Sequence, residues 1–496
     1  MRTLLSAIEG YAETQADSIA LEGIDISLTY VELARSVSSV AEFLGRHDIN
    51  AVALLADNGP LWCVADLACV EAGIPLVPLP HFFSPSQISH VIESAGLDGI
   101  LTEHPEQALI LIEQLKLGCN PPVDVVVAGK RLSLIQLTVS RVALPDRCSK
   151  VTFTSGSTGE PKGVCLSQSV MEQVAGSLAA VTGANAADRH LSLLPYATLL
   201  ENIGGLYAPL LSGATVVAPP LSSVGLSGAS GLDLNQFISI LIQSRASTCI
   251  MIPQMLHALV AAIESGAPRP EGLRFIAVGG ASVSPLLLTR AEKLGLPVFE
   301  GYGLSEAASV VAVNAPAGSK PGSVGQLLPH ISLCFAADGE ILVKGGLFSG
   351  YLGDLPFEGE YWPTGDIGHM DDDGFLYLSG RKKHIFITAF GRNVSPEWVE
   401  RELSIEPAIA QCCVFGEARP FNVAVIVARE NASSEQIGMA VEQANARLPD
   451  YAKVSKWILA NEPFSVENAL WTGTARPRRE QIFAAYEDYL TTLYQE

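Results

Sequence analysis

The sequence predicts an α/β fold, in which two related, mostly parallel sheets pack within one large unit and a small domain follows from near residue 380. Three observations predict it. Short apolar runs alternate with helix-like stretches in two separate series. At 496 residues the chain is long enough for roughly two to four compact units. The texture then changes after about residue 333 to short strands and tight turns.

The first series reads AVALLA at 51–56, a helical pattern over 60–72, IPLVPL at 74–79, a helical pattern over 84–95 and GILT at 99–102. The second reads LSLLP at 191–195, helical 199–211, ATVVA at 214–218, helical 234–245, TCIMIP at 248–253, helical 254–264 and FIAVGG at 275–280. Strand–helix alternation of this kind marks parallel sheets covered on both faces. The Ser/Gly/Pro-rich stretch 219–231 reads as a surface loop. DGEILVKG at 338–345 and DDDGFLYLSGR at 371–381 read as strands joined by turns, with Asp-Gly as the hairpin signal. IFIT at 385–388, a helical pattern over 396–403 and VAVIVA at 423–428 give the C-terminal part its own elements, with polar GRKKH at 380–384 as the connection.

Composition narrows the function classes. Apolar residues make up 48% and charged residues 17%, which suits a large core and excludes wholesale disorder. A net charge of -21 argues against a broad cationic face for nucleic acid or anionic lipid. Mean hydropathy is +0.30, yet the richest run, Trp62 to Leu79, is interrupted by Asp66, Glu71, Gly73, Pro75 and Pro78, so no integral membrane segment is expected. Glu9 and Glu13 interrupt any signal-peptide core, and a cytoplasmic protein is the expectation. The nine cysteines are odd in number, scattered and without a CxxC, which argues against a disulfide framework or a zinc site.

The strongest chemical signal is TSGSTGEPKG at 154–163. An apolar strand enters a loop whose successive N–H groups can form an anion-binding concavity. Thr154, Ser155, Ser157 and Thr158 add hydroxyls, Gly156 and Gly159 add freedom, and Lys162 adds charge. It is not a Walker A loop, since no Ser or Thr follows the lysine. The second signal sits on a βαβ unit. FIAV ends in Gly279, Gly280 and Ala281, a helix follows with Ser284 as N-cap and Pro285 at its first position, and the next strand ends in GYGLSE at 301–306. Open α/β sheets place ligands at such carboxyl ends. Small residues let a flat heterocycle approach, Tyr302 offers a stacking face, and Glu306 offers a carboxylate to Mg²⁺. By itself the pattern is equally that of a tight turn. The third signal is Asp366 in TGD, followed by Arg381 and Lys383 in GRKK. A carboxylate there can grip vicinal hydroxyls, although an Asp in a turn reads the same way.

TSGSTGEPKG, GYGLSE, TGD, GRKK and FGRNVSPEWVE (390–400), in that order, resemble the acyl-adenylating superfamily of acyl-CoA synthetases, adenylation domains and luciferases. LTYVEL at 28–33 and GIPLVPLP at 73–80 match its early segments, so the likeness covers nearly the whole chain; FGRNVSPEWVE is most similar to long-chain fatty acyl-CoA synthetases. The resemblance implies an N-terminal AMP-binding domain over 1–380 and a mobile α+β lid over 381–496 with a hinge near Lys383. It implies that a carboxylate attacks the α-phosphate of ATP, giving acyl-adenylate and pyrophosphate, and that a thiol or amine then displaces AMP. In that scheme residues 154–159 and Lys162 hold the β- and γ-phosphates, Gly279–Ala281 and Gly301–Gly303 frame the adenine, and Ser305 bonds the α-phosphate. Glu306 binds Mg²⁺, Asp366 and Arg381 hold the ribose, and Gly391 lines the acceptor channel after the lid turns.

The chain departs from the family in three places. The usual C-terminal Gly-Lys pair is replaced by Ala475 and Arg476, and arginine keeps the charge but is planar and more diffuse. Lys453 and Lys456 could supply the charge instead only if the lid docks differently. Thr198 stands where a His or aromatic gate is common, and His384 stands where an acid is common. No Asp occurs between His190 and Ser230, which disfavours an amino-acid substrate. Tyr196, Thr198 and Leu199 become the candidate substrate contacts, although Leu199 reads equally as helix core. The expectation is a medium- or long-chain fatty acid passed to CoA. The alternatives are transfer to a carrier-protein phosphopantetheine or an amine, or a non-catalytic adenylate-binding protein.

Overall fold

The computed structural model describes residues 3–154, 161–227, 231–430, 432–472 and 476–495. Two nine-stranded sheets dominate. In the first, the strands Val298–Tyr302, Phe275–Val278, Thr248–Met251, Arg189–Leu191, Thr215–Val217 and Ile19–Glu22 run parallel in that spatial order, with antiparallel strands at both edges. In the second, Cys148–Thr154, Leu76–Pro78, Val52–Leu55 and Gly99–Thr102 run parallel, and Lys162–Ser167 returns antiparallel on Cys148–Thr154. The first sheet is mostly parallel as expected, whereas the second is mixed, a four-stranded parallel centre flanked by antiparallel strands. A four-stranded antiparallel sheet, Ser332–Phe335, Glu340–Lys344, Trp362–Met370 and Leu376–Arg381, supplies the β-rich part.

The two large sheets share one core. Leu54 and Leu76 from one and Leu21 and Val216 from the other belong to a single apolar cluster, with Leu33, Trp62 and Met171 from the helices Tyr30–Gly45, Pro60–Ala72 and Gln168–Thr182. The Pro60–Ala72 helix is buried from Pro60 to Cys69, as a helix apolar on every side must be. Its one buried charge is Asp66, whose partner Lys150 lies 2.7 Å away and is equally buried. Tyr207 donates to the same carboxylate at 2.7 Å and Asn202 at 3.0 Å. Removing one partner of a buried pair strands the other charge. Lys150→Met is therefore expected to lower unfolding free energy by about 3 kcal/mol, read from denaturant titration; a neutral result would mean that Tyr207 and Asn202 alone satisfy Asp66.

The smaller C-terminal domain holds a three-stranded sheet, Ile409–Phe415, Asn422–Ala428 and Val454–Leu459, packed by the helices Pro396–Ser404, Ser434–Ala446 and Arg479–Gln495 around its own apolar clusters. One expected element differs. The helical stretch 199–211 is Leu199–Glu201, a π-helical turn Asn202–Tyr207 and Ala208–Leu211. Two adjacent glycines, Gly204 and Gly205, lie within it. A Cβ on Gly205 would sit 2.1 Å from Glu201 Oε1 and 2.7 Å from His190 Nε2, so the wider turn folds the Glu201 carboxylate back over Gly205 to meet His190. π-turns commonly mark functional sites.

Candidate active site

Three strand ends meet at one cavity of about 1170 Å³. Thr154 closes the Cys148–Thr154 strand, Gly279 follows Phe275–Val278, and Gly301–Tyr302 ends the neighbouring strand; all line this space. Residues 155–160, and with them Ser155, Gly156, Ser157, Thr158 and Gly159, lie outside the described residues. Ser284 caps the intervening helix as expected, accepting from the Leu286 amide at 3.2 Å. The glycine at 303 is sterically required, since a Cβ would lie 1.5 Å from the Ser309 carbonyl oxygen.

Ser305 and Glu306 occupy a short 3₁₀ turn after the second corner and line the cavity. Tyr351 donates its hydroxyl to Glu306 Oε1 at 2.5 Å. Lys162 pairs opposite Thr154 in the ladder, and its Nζ stands 5.1 Å from the Tyr351 ring centroid. Tyr351 thus joins the lysine and the carboxylate, a role not assigned to it from sequence; only its place in GY at 350–351 hinted at it. Burial, reinforced by Glu306, pushes its phenol up, so it stays a donor.

Asp366 and Arg381 face each other across an antiparallel pair, with Nε to Oδ1 at 3.0 Å. Tyr302 donates to the other oxygen at 2.6 Å. Burial raises the Asp366 carboxyl, and Arg381 and the Tyr302 hydroxyl oppose that rise. Tyr302 is thereby held at the cavity wall by its hydroxyl.

Arg476 enters from the C-terminal domain. Its guanidinium donates to the Gly280 carbonyl at 2.5 Å and lines the cavity. Ala475 lies outside the described residues. Arg478 lines the same cavity, whereas Lys453 pairs with Asp450 at 2.5 Å and Lys456 donates to the Leu493 carbonyl at 2.9 Å. Lys383 is exposed and does not line the cavity; burial of its stem and Arg381 lower its ammonium. Its neighbour His384 bonds Glu397. Gly391 lies in an exposed turn at φ +72°, away from the cavity in this arrangement.

Among the candidate substrate contacts, Thr198 and Leu199 are at the wall. Tyr196 is a correction. It is fully buried, stacks on Trp62 at 5.0 Å and bonds Ser192 Oγ at 2.6 Å, so it belongs to the core. Among the described residues no cluster of three or more His, Cys, Asp or Glu forms a metal cage, and no helix is long and apolar enough to cross a membrane.

Glu300, immediately before the first of the 301–303 glycines, is buried, and that burial pushes its carboxyl up to about 7 against an amide hydrogen bond from Val283 and the field of Arg401. An unfolded glutamate has lost its proton by then, so from about pH 4.5 to about pH 7 the folded chain binds more protons and stability falls as pH rises. Glu300→Gln removes that penalty. Thermal melts are expected to coincide near pH 4.5 and to favour the variant by about 3 kcal/mol at pH 8; a gap independent of pH would contradict the assignment.

The AMP-binding enzyme family matches residues 8–352, and the C-terminal domain of AMP-binding enzymes matches residues 383–496. The chain belongs to the AMP-binding enzyme family. A long-chain-fatty-acid–CoA ligase of Mycobacterium bovis is 25% identical, over 96% of this chain and 93% of its own length. An indoleacetate–CoA ligase of Aromatoleum aromaticum is 28% identical, over 82% and 84%. The structure of an o-succinylbenzoate CoA synthetase of Bacillus subtilis in complex with ATP and magnesium ion superimposes with a TM-score of 0.75 at 23% identity, covering 96% of this chain and 98% of that one. This AMP-binding enzyme is an acyl-adenylate-forming, acid–thiol ligase, in agreement with the motif order.

Proposed function

We propose that this AMP-binding enzyme activates a medium- or long-chain fatty acid with ATP and transfers the acyl group to CoA, in the cytoplasm, where its nine free thiols suit a reducing compartment. The observation that carries the acid is the apolar extension of the cavity beyond Gly279, walled by Leu178, Leu199, Leu200, Ile250 and Phe275. In the first step an oxygen of the substrate carboxylate bonds to the α-phosphorus of ATP and the bond to pyrophosphate breaks. In the second, the CoA sulfur bonds to the acyl carbon and AMP leaves.

The motif resemblance assigns each residue its part, and the places of Arg476, Ser305, Glu306 and Arg381 at the cavity wall support it. Arg476, at the Gly280 carbonyl, offers its remaining guanidinium donors to charge developing between carboxylate and α-phosphate. Lys162 and the loop after Thr154 hold the outer phosphates, Ser305 the α-phosphate, and Asp366 with Arg381 the ribose. Glu306 suits a Mg²⁺ ion, being an oxygen donor at the cavity wall that keeps one carboxylate oxygen free of Tyr351. That ion would supply neutralisation of phosphate charge. Residues 381–496 act as the lid with Lys383 at its hinge, and Gly391 reaches the acceptor channel once the lid has turned.

The test is a carboxylic-acid library incubated with ATP·Mg²⁺ and CoA, with products read by mass spectrometry. Fatty acyl-CoA and AMP are expected. Thioesters of aromatic acids alone would overturn the fatty-acid reading, and activity only with a phosphopantetheinyl carrier or an amine would overturn CoA as acceptor.

A further inference from the structure

Among the described residues, four guanidiniums stand at the wall of the active-site cavity, those of Arg274, Arg381, Arg476 and Arg478. Three of them are engaged. Arg274 donates to Asp188 Oδ1 at 2.7 Å, Arg381 pairs with Asp366 Oδ1 at 3.0 Å, and Arg476 donates to the Gly280 carbonyl at 2.5 Å. The Arg478 guanidinium has no hydrogen bond, ion pair or ring contact among the described residues. Lys162, the lysine expected at the outer phosphates, is not one of the wall residues; its Nζ lies 5.1 Å from the Tyr351 ring centroid.

Local structure fixes where Arg478 points. The segments 470–472 and 476–478 pair antiparallel about Trp471 and Pro477. The Thr472 amide donates to the Arg476 carbonyl at 2.8 Å, and the Arg478 amide donates to the Leu470 carbonyl at 2.9 Å. Alternate residues of an extended segment share a face, so Arg476 and Arg478 point the same way, and both reach the cavity. The segment is anchored on its other side. Trp471 packs beside Phe464 in an apolar cluster of the C-terminal domain, and Arg479 donates to both Glu400 oxygens at 2.5 and 2.9 Å. Two residues of extended backbone advance roughly 7 Å, a span comparable to a triphosphate chain. A free guanidinium held at that spacing can grip phosphate oxygens in a bidentate fork. In a chain with 52 acidic and 31 basic residues, the fork stays open because no carboxylate among the described residues has taken it.

We propose that Arg478 is a second cationic ligand supplied by the C-terminal domain, and that it binds the outer phosphates of ATP. As the carboxylate oxygen bonds to the α-phosphorus, the bond to the β-phosphate oxygen breaks and its electron pair leaves with pyrophosphate. Arg478 meets the charge that gathers on that leaving group, while Arg476 meets the charge between carboxylate and α-phosphate. The two arginines thus divide the negative charge of the reacting pair. The inference rests on the adenylation step of the reading above and not on which acid is used.

The experiment measures the dissociation constants of ATP and of AMP, each with Mg²⁺ and without any acid, for the full chain by titration calorimetry. Arg478→Gln is expected to weaken ATP by about tenfold, the scale of charge-assisted hydrogen bonds to phosphate. AMP lacks the outer phosphates, and its affinity is expected to stay within about twofold. Arg478→Lys keeps the charge and is expected to recover most of the ATP affinity. Thermal melts of both unliganded variants are expected to match the wild-type chain, since the guanidinium has no partner to lose. Unchanged ATP affinity in Arg478→Gln overturns the proposal. Equal weakening of ATP and AMP overturns it too, because the residue would then act at the α-phosphate or only in docking the domain; the adenylation reading survives both results. Failure of the wild-type chain to bind ATP sinks that reading and the inference together.

Discussion

Glu306→Ala is expected to lower acid-dependent pyrophosphate release by at least about a hundredfold, because charge neutralisation at a reacting phosphate supplies several kcal/mol of the barrier reduction. The carboxylate stands at the cavity wall with one oxygen engaged by the Tyr351 hydroxyl at 2.5 Å. Two roles are therefore possible for it, an anionic ligand for Mg²⁺ and an acceptor that positions Tyr351 under Lys162. Glu306→Gln separates them, since the amide keeps the acceptor and loses the charge. If the metal role is right, the glutamine chain is nearly as impaired as the alanine chain and needs far more Mg²⁺ for half-maximal rate. Near-normal turnover with glutamine would leave only the positioning role. Tyr351→Phe supplies the complement: the metal ligand remains and the tether is lost, and a milder loss of roughly tenfold is expected from one charge-assisted hydrogen bond.

Arg476→Ala is expected to cost adenylation roughly a hundredfold or more, the range seen when one preorganised donor to developing negative charge is removed. Thioester formation from pre-made acyl-adenylate should lose much less, because the charge that Arg476 meets develops in the first half-reaction. The geometry that motivates this is the hydrogen bond from its guanidinium to the Gly280 carbonyl, a contact that spans the two domains. Arg476→Lys tests whether the arginine is a handicap. An ammonium is a compact charge on a flexible stem, whereas guanidinium is broad and planar. An adenylation rate in Arg476→Lys at or above that of the unmodified chain is expected. Equal losses in both half-reactions for Arg476→Ala would show that the residue serves only to dock the domain.

Much of this molecule was legible from amino-acid order because its signals are local. Alternation of apolar runs with helical stretches over 51–102 and 248–280 depends on neighbours only, and the strands and helices fall within it. The same holds for the helix that starts at Ser284 and Pro285, where cap and ring act within a single turn. Glycine at 303 was readable as a tight corner for the same reason, although the Ser309 carbonyl that forbids a side chain there was not.

What amino-acid order determined by itself was the kind of element, the places where the backbone must turn tightly, and which short segments carry donors, charge and hydroxyls. The tertiary structure alone decided which of those segments meet and where their side chains point. Arg476 reaches Gly280 across 196 residues, and Tyr351 reaches Glu306 across 45. Tyr196 turns to Trp62 and Ser192 instead of the cavity, and the π-turn at 202–207 sets Gly204 against Ile250. The physical reason is common to all four. Periodicity assigns direction only to residues on longer regular helices and strands, whereas these lie on loops, a distorted helix or, for Tyr351, a strand of two residues. There the direction is set by which distant partner satisfies a buried polar group or fills a packing space.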